Sequence, residues 1–155
     1  MSANQNLARS VARLAAVQAL YQMEVSGAST ADVLDSFTSG KLPRETEATY
    51  SNTEGDLELF KTLIEETVER QATLDRVIAR HLSKGWRLDR IDAVARAILR
   101  SGAAELAQRT DIPVAVVINE YVEIAKAFFD GPEPGFVNAT LDAAARDLRP
   151  TAQGA

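Results

Sequence analysis

The stretch PVAVVINEYVEIAKAF, from Pro113 to Phe128, decides the fold class of this 155-residue chain. Its residues from Val114 to Ile118 are the only β-like run in the sequence. The flanks are helical, because the apolar side chains along the stretch recur every three or four residues. Pro113 suits the first turn of a helix, where its missing N–H would have no helical partner. The stretch therefore predicts a helix with one buried face.

Helical spacing recurs along the rest of the chain and predicts an all-α protein of about seven helices with no convincing strand. The first helix is expected from about residue 6 to 26 and ends at Gly27. A second, from Thr30 to Phe37, has Ser29 as its N-cap. Later helices are expected from Asp56 with a kink near Gln71, after Asp89 as an N-cap, after Pro113, and up to Leu148.

The length is usual for one domain, expected here over residues 1–150 with a polar tail at 151–155. Residues 39–55 contain Gly40, Pro43 and Gly55 with few large apolar groups, which predicts a mobile surface loop. No apolar run approaches the roughly 20 residues of a membrane span. With no cysteine and no apolar leader, the chain is expected to be soluble and cytoplasmic.

Catalytic and metal-binding patterns are missing from the sequence. His81 is the only histidine and there is no cysteine, so no zinc site or cofactor is expected. No glycine-rich phosphate loop and no serine-nucleophile motif is present. The acidic pairs, such as Glu120 and Glu123, fall on faces expected to be exposed, where acid–base chemistry is disfavoured. The sequence therefore favours a protein that binds over one that catalyses.

Charge is unevenly distributed along the chain. The whole sequence has a net charge of −5, which argues against non-specific binding to nucleic acid. Residues 41–69 carry three bases and eight acids, whereas residues 84–100 carry five bases and two acids. Opposite signs on different segments predict a polarised surface.

Two arginine pairs are the first candidates for an anion-binding surface. Arg9 and Arg13 lie four residues apart on the first predicted helix, and Arg96 and Arg100 repeat that spacing. Like charges at this spacing are mildly unfavourable unless an anionic partner offsets them. The planar guanidinium is suited to phosphate because it donates two parallel hydrogen bonds. We therefore expect the first helix to form the main binding surface of the protein, with an anionic partner bound at its arginines.

Four further residues have a binding reading and a structural reading. On or near the same helix face, the Gln18 amide could bond a base edge and the Tyr21 ring could stack on an unpaired base; otherwise Tyr21 is core and Gln18 is a surface residue. Asn138 could cap or cross-link helices. Phe136 follows a Gly-Pro turn, where its ring is expected to be partly exposed.

Three elements together resemble the NusB family of bacterial transcription antitermination factors. They are RLAAVQALY from Arg13 to Tyr21, the pair Ile112-Pro113 followed by VINEYVEIAK from Val117 to Lys126, and FVNATLD from Phe136 to Asp142. Ala139 replaces the glycine that is usual in the third element. The matches occur in order over about residues 9–148, and together they are specific.

This resemblance implies an all-α fold of two packed helical subdomains. It implies binding to boxA RNA of ribosomal RNA operons as a heterodimer with the ribosomal protein NusE, alongside NusA, NusG and RNA polymerase. Homodimers are a further implication, since some members self-associate. By position, the RNA site would include Arg9, Arg13, Gln18, Tyr21, Phe136 and Asn138, and the NusE surface would include Arg96 and Arg100.

The N-terminal segment departs from the family pattern, because only Arg9 and Arg13 remain of an arginine-rich stretch. Fewer phosphate contacts predict weak RNA binding without NusE. One alternative is the NusB-like domain attached to ribosomal RNA methyltransferases, which needs a methyltransferase domain as well. Another is a helical protein–protein adaptor that makes no RNA contact.

Overall fold

The computed structural model describes residues 3–40 and 55–150, and these contain six α-helices and no strand. In chain order they are α1 (Ala3–Ser26), α2 (Thr30–Thr38), α3 (Leu57–His81), α4 (Ala93–Gln108), α5 (Val114–Phe128) and α6 (Glu133–Leu148). The all-α prediction is confirmed. Most of the predicted loop, at residues 41–54, and the tail at 151–155 lie outside the described residues.

The predicted count of about seven helices is one too high because α3 is a single element. The kink expected near Gln71 falls at Arg70, whose φ of −113° and ψ of 23° leave helical geometry at one residue only. The helix resumes directly and continues to His81. A single non-helical residue therefore bends α3 without dividing it.

Side-chain caps set the starts of three helices, α2, α3 and α4. At α2 the Ser29 hydroxyl accepts from the Asp32 backbone N–H, and the Asp32 carboxylate accepts from the Ser29 N–H, both at 3.1 Å. Asp56 caps α3 through the Leu59 N–H at 3.0 Å. The prediction that Asp89 caps α4 is wrong. Asp92 accepts from the Val94 N–H at 2.7 Å, so the helix begins one turn later than expected.

Helix α4 is the centre of the fold and packs against α1, α3, α5 and α6. Small residues allow this close packing: a Cβ added at Gly102 would lie 2.8 Å from a methyl carbon of Leu141 on α6. On α1 the residues Ala12, Ala15, Ala16 and Ala19 are buried, so its backbone also approaches its neighbours closely. The buried apolar side chains form one connected core.

Arg149 fastens the end of α6 to the turn between α4 and α5. Its guanidinium is buried and donates to the backbone carbonyls of Leu106 at 2.6 Å and Ile112 at 2.5 Å, and also to that of Arg109. These carbonyls lie at a helix end or in a turn, where they have no helical partner. We call this arrangement the Arg149 clasp. No helix among the described residues is long and apolar enough to cross a membrane.

Candidate nucleic-acid interface

Arg13 does not lie on the surface of α1. Its side chain is 3% exposed, and its guanidinium contacts Glu105 of α4 and Glu120 of α5 at 2.7 Å each. A second bond joins Arg13 Nε to Glu105 Oε1 at 2.9 Å, so the Arg13–Glu105 pair is bidentate. The prediction that Arg9 and Arg13 present one basic pair to an anionic partner is therefore wrong, because the protein supplies the anions for Arg13.

The carboxylates around Arg13 belong to a buried polar network. The Tyr121 hydroxyl donates to Glu105 Oε1 at 3.0 Å and lies 2.8 Å from the Ser101 hydroxyl. Burial, reinforced by the charge of Glu105, holds the pKa of Tyr121 well above its usual value. Burial is the largest single effect on Arg13 and lowers its pKa, but the hydrogen bonds to Glu105 and the charges of the surrounding groups together outweigh burial and raise the pKa. The network fixes α1 against α4 and α5.

Arg9 remains the accessible cation of the N-terminal half of α1. Its side chain is 17% exposed, and its Nε lies 3.9 Å from a carboxylate oxygen of Asp56 at the start of α3. That separation is at the outer limit of an ion pair. Arg9 can therefore turn toward a phosphate at small cost.

Gln18 and Tyr21 line one groove on the outer side of α1, with a volume of about 340 Å³. Tyr21 is 39% exposed, so the reading of Tyr21 as a core residue is wrong. Both polar atoms of the Gln18 amide are buried and have no hydrogen-bond partner. The remaining lining residues are uncharged: Val17, Gln22, Val25, Val94 and Phe128. The groove therefore contains the exposed Tyr21 ring and the buried Gln18 amide, and its lining includes no cation.

Phe136 is covered, contrary to the expectation of a partly exposed ring. The Trp86 ring stacks on it with the two centroids 4.5 Å apart and the planes 30° apart. Phe136 is 9% exposed, whereas Trp86 is 38% exposed. Trp86 lies in the turn between α3 and α4. Its contact with Phe136 could not be inferred from the sequence because the two rings are 50 residues apart.

Asn138 lies on the exposed face of α6 in a separate groove of about 530 Å³. Asn119 and Lys126 of α5 and Asp142 of α6 line the same groove. This placement does not bring Asn138 next to Tyr21, because α5 contributes to both grooves and separates them. The predicted RNA residues therefore occupy several surfaces.

Arg96 and Arg100 line a larger groove of about 650 Å³, which we call the Trp86 groove because Trp86 lies in its wall. Arg96 donates to both carboxylate oxygens of Glu24 at 2.8 Å, and Arg100 donates to both oxygens of Asp75 at 2.8 Å. The hydrogen bonds to Glu24, against a smaller desolvation effect, raise the pKa of Arg96. These two arginines are therefore largely neutralised within the fold.

Sequence reasoning did not single out the individual basic side chains that remain exposed and able to bind an anionic partner. Lys84, Arg87 and Arg90 are exposed in the turn between α3 and α4. Arg87 makes a 3.3 Å contact with Asp89, and the side chains of both are about two-thirds exposed. The net charge of +3 over residues 84–100 was the sequence signal that could have identified them.

Metal chemistry has no support in the described ranges, 3–40 and 55–150, which contain no cluster of three ligating side chains. His81 ends α3 and lies 2.6 Å from Asp147, which also pairs with Arg80. This contact lowers the pKa of Asp147. His81 thus joins a surface ion-pair group between α3 and α6.

Residues 10–146 match the model of the NusB family. The transcription antitermination protein NusB of Caulobacter vibrioides is 54% identical over 149 residues, which cover 96% of this chain and 99% of that protein. The corresponding protein of Mesorhizobium japonicum is 44% identical, with 94% of each chain covered. Among solved structures, T. maritima NusB has a TM-score of 0.73 at 30% identity and covers 95% of this chain and 97% of its own. A chain in a crystal structure of a plectonemic RNA supercoil has a TM-score of 0.71 at 28% identity, with 90% and 95% covered.

Proposed function

This chain belongs to the NusB family of transcription antitermination proteins, and on that premise we propose that it binds boxA RNA as a heterodimer with the ribosomal protein NusE. The observation that carries the proposal is the 54% identity to an antitermination protein over nearly the full length of both chains. Antitermination is a non-enzymatic function. NusA, NusG and RNA polymerase would complete the assembly in the cytoplasm.

The RNA surface that we propose is a revised set of the residues predicted from sequence. Arg9 supplies a partly exposed cation, and Tyr21 offers an exposed ring for a base, with the buried and unpaired Gln18 amide lining the same groove. Asn138 offers an exposed amide in the groove between α5 and α6. Arg13 acts by holding α1 in place, and Phe136 acts by supporting Trp86.

The NusE surface that we propose includes the rim of the Trp86 groove, where Arg96 and Arg100 lie beside Glu24 and Asp75. Mixed charge of this kind sets the orientation and association rate of a protein partner more than its affinity. The exposed basic side chains next to this surface, in the turn between α3 and α4, would contact the RNA. NusE would then add contacts that an acidic chain with few available arginines lacks.

The test is a titration of a boxA-type RNA with the chain, with and without NusE, at two salt concentrations. We expect weak binding alone, tighter binding with NusE, and a loss of affinity as salt rises. Replacing Tyr21 by Ala should weaken binding by about tenfold if the ring stacks on a base. Val116→Ala is the matched control, since Val116 is also exposed and lines none of the three grooves described above.

The second candidate function is that of an adaptor that binds NusE without touching RNA. The net charge of −5 and the burial of Arg13 favour it. A complex with NusE whose RNA affinity equals that of NusE alone would establish the adaptor and reject the RNA-binding proposal.

A further inference from the structure

The Trp86 ring is held rigidly on one face and open on the other. Phe136 backs it at a centroid distance of 4.5 Å, while 38% of Trp86 stays exposed. A tryptophan in this position leaves apolar surface in water that the fold has not covered. A ring held in this way can serve as a stacking platform for a nucleic-acid base, because the base meets a surface that is already ordered.

Exposed cations lie around this platform, and among them only Arg87 has an ion-pair partner within the described part of the chain, the exposed Asp89 at 3.3 Å. Arg76 and Arg87 line the same groove, and Lys84 and Arg90 are exposed in the same turn as Trp86. Across residues 3–40 and 55–150, Lys84, Arg90 and Arg76 enter none of the ion pairs that the structure contains. An exposed ring among unneutralised cations is the combination by which proteins hold single-stranded nucleic acid.

Within residues 3–40 and 55–150, the two exposed aromatic residues, Tyr21 and Trp86, differ in this respect. Tyr21 lies in a groove lined only by uncharged side chains, so no phosphate contact accompanies it there. Trp86 has Arg76 and Arg87 beside it, and the three acids of its groove are each paired with an arginine: Glu24, Asp75 and Asp89. Charge complementarity therefore favours an RNA strand over a protein segment at Trp86, because an RNA base always carries a phosphate nearby.

We propose that Trp86 stacks on an unpaired base of the bound RNA, with Phe136 as its backing and Arg87 and its neighbours on the adjacent phosphates. The proposal rests on the RNA-binding function proposed above and adds a residue that the predicted site lacked. It also changes the role of Phe136, which positions the stacking residue and does not itself meet the RNA.

Trp86 is the only tryptophan of the chain, so its fluorescence reports on this one site. The experiment titrates a boxA-type RNA into the chain with NusE present, recording tryptophan emission and the anisotropy of end-labelled RNA. Emission from NusE with RNA is subtracted. We expect the Trp86 emission to be quenched with the same midpoint as the anisotropy, as a stacked base requires.

Variants separate stacking from support of the fold. Trp86→Ala should lower RNA affinity by about tenfold and Trp86→Phe by much less, since phenylalanine keeps a π-face. Val116→Ala again serves as the exposed apolar control, and thermal unfolding of each variant is measured. Should Trp86→Ala fail to fold, the quenching and the Trp86→Phe affinity decide the result.

Each remaining outcome counts against the proposal. RNA binding with unchanged Trp86 emission and unchanged affinity of Trp86→Ala would overturn the stacking role while leaving the proposed function intact. Emission that changes on adding NusE alone, with no further change from RNA, would assign Trp86 to the protein partner. Absence of RNA binding by the wild-type complex would overturn the proposed function and the stacking role together.

Discussion

Arginine serves opposite purposes in α1 and in the turn between α3 and α4. In α1 the Arg13 guanidinium is buried between two carboxylates, and it holds three helices together. In the turn, Arg87 and Arg90 are exposed with Lys84, and the fold uses them little. Residue type and spacing do not distinguish these cases. What distinguishes them is whether distant segments of the chain bring carboxylates to the arginine.

The comparison predicts that the two regions fail in different ways when altered. Loss of a cation in α1 should cost stability, because the carboxylates around it would remain buried and unpaired. Loss of cations in the turn should cost RNA affinity and leave stability unchanged. The following experiments test that separation in decreasing order of expected effect.

Removal of the buried charge should produce the largest effect. Arg13→Ala is expected to lower the free energy of unfolding by about 3–5 kcal/mol, as breaking one partner of a buried ion pair does. Denaturant unfolding measures this. Arg146→Ala is the control, because its exposed pair with Asp142 should contribute at most about 1 kcal/mol. An Arg13→Ala variant as stable as the wild type would mean that the buried network does not support the fold.

Removal of the exposed cations should act on RNA alone. The triple variant Lys84→Ala, Arg87→Ala, Arg90→Ala is expected to reduce the salt slope of RNA binding by about 2, at about 0.7 per lost single-strand phosphate contact. Its thermal unfolding should match the wild type. Lys61→Ala on α3 is the matched control, being an exposed cation in an acidic segment. An unchanged slope in the triple variant would remove this turn from the RNA surface.

Arg9 stands between the two regions, since it belongs to α1 but is partly exposed. Arg9→Ala should reduce the salt slope by about 0.7 and the free energy of unfolding by less than about 1 kcal/mol. Titration at several salt concentrations, with unfolding measured in parallel, separates the two effects. A stability loss as large as that of Arg13→Ala would place Arg9 with the buried network instead.

The smallest effect is expected at the exposed pair of Arg109 and Asp111, 2.9 Å apart. The hydrogen bond from Arg109, against a smaller desolvation effect, lowers the pKa of Asp111 to about 2. A lowered pKa contributes stability above the unfolded pKa near 4, and the contribution is lost as the pH falls to about 2. Since Asp111 is 60% exposed, water screens the pair to roughly a few tenths of a kcal/mol.

Unfolding of Asp111→Asn and wild type at pH 7 and pH 2 checks this assignment. The two proteins should differ slightly at pH 7, and the difference should shrink toward pH 2, where about half of the Asp111 carboxylates of the folded protein are protonated. A difference that persists undiminished at pH 2 would mean that Asp111 acts through something other than its charge.

Local signals in the sequence predicted most of the helices, because caps and apolar spacing act over a few residues. Ser29 caps α2 as expected, α3 begins next to Asp56 as expected, and α5 begins after Pro113. The spacing predicts Asp89 as the N-cap of α4 with Asp92 at position N3, whereas Asp92 itself is the N-cap. Only the geometry of the preceding turn decides between them.

Non-local contacts account for the parts of the site that sequence could not give. Arg13 is separated from Glu105 by 92 positions and from Glu120 by 107, so nothing beside it in sequence signals its burial. The covering of Phe136 by Trp86 has the same cause. Exposure of a side chain is set by what packs on it, and periodicity along one helix carries no information about that.

The Arg149 clasp has a consequence for how a cell makes this chain. A ribosome delivers Arg13 first and Arg149 136 positions later, which takes roughly ten seconds or more at typical elongation rates. Until then the carbonyls of Leu106, near the end of α4, and Ile112, in the turn before α5, lack the Arg149 donor. The clasp therefore forms only after Arg149 has left the exit tunnel, and a chain truncated before residue 149 would lack the hydrogen bonds that fasten the end of α6 to the turn between α4 and α5.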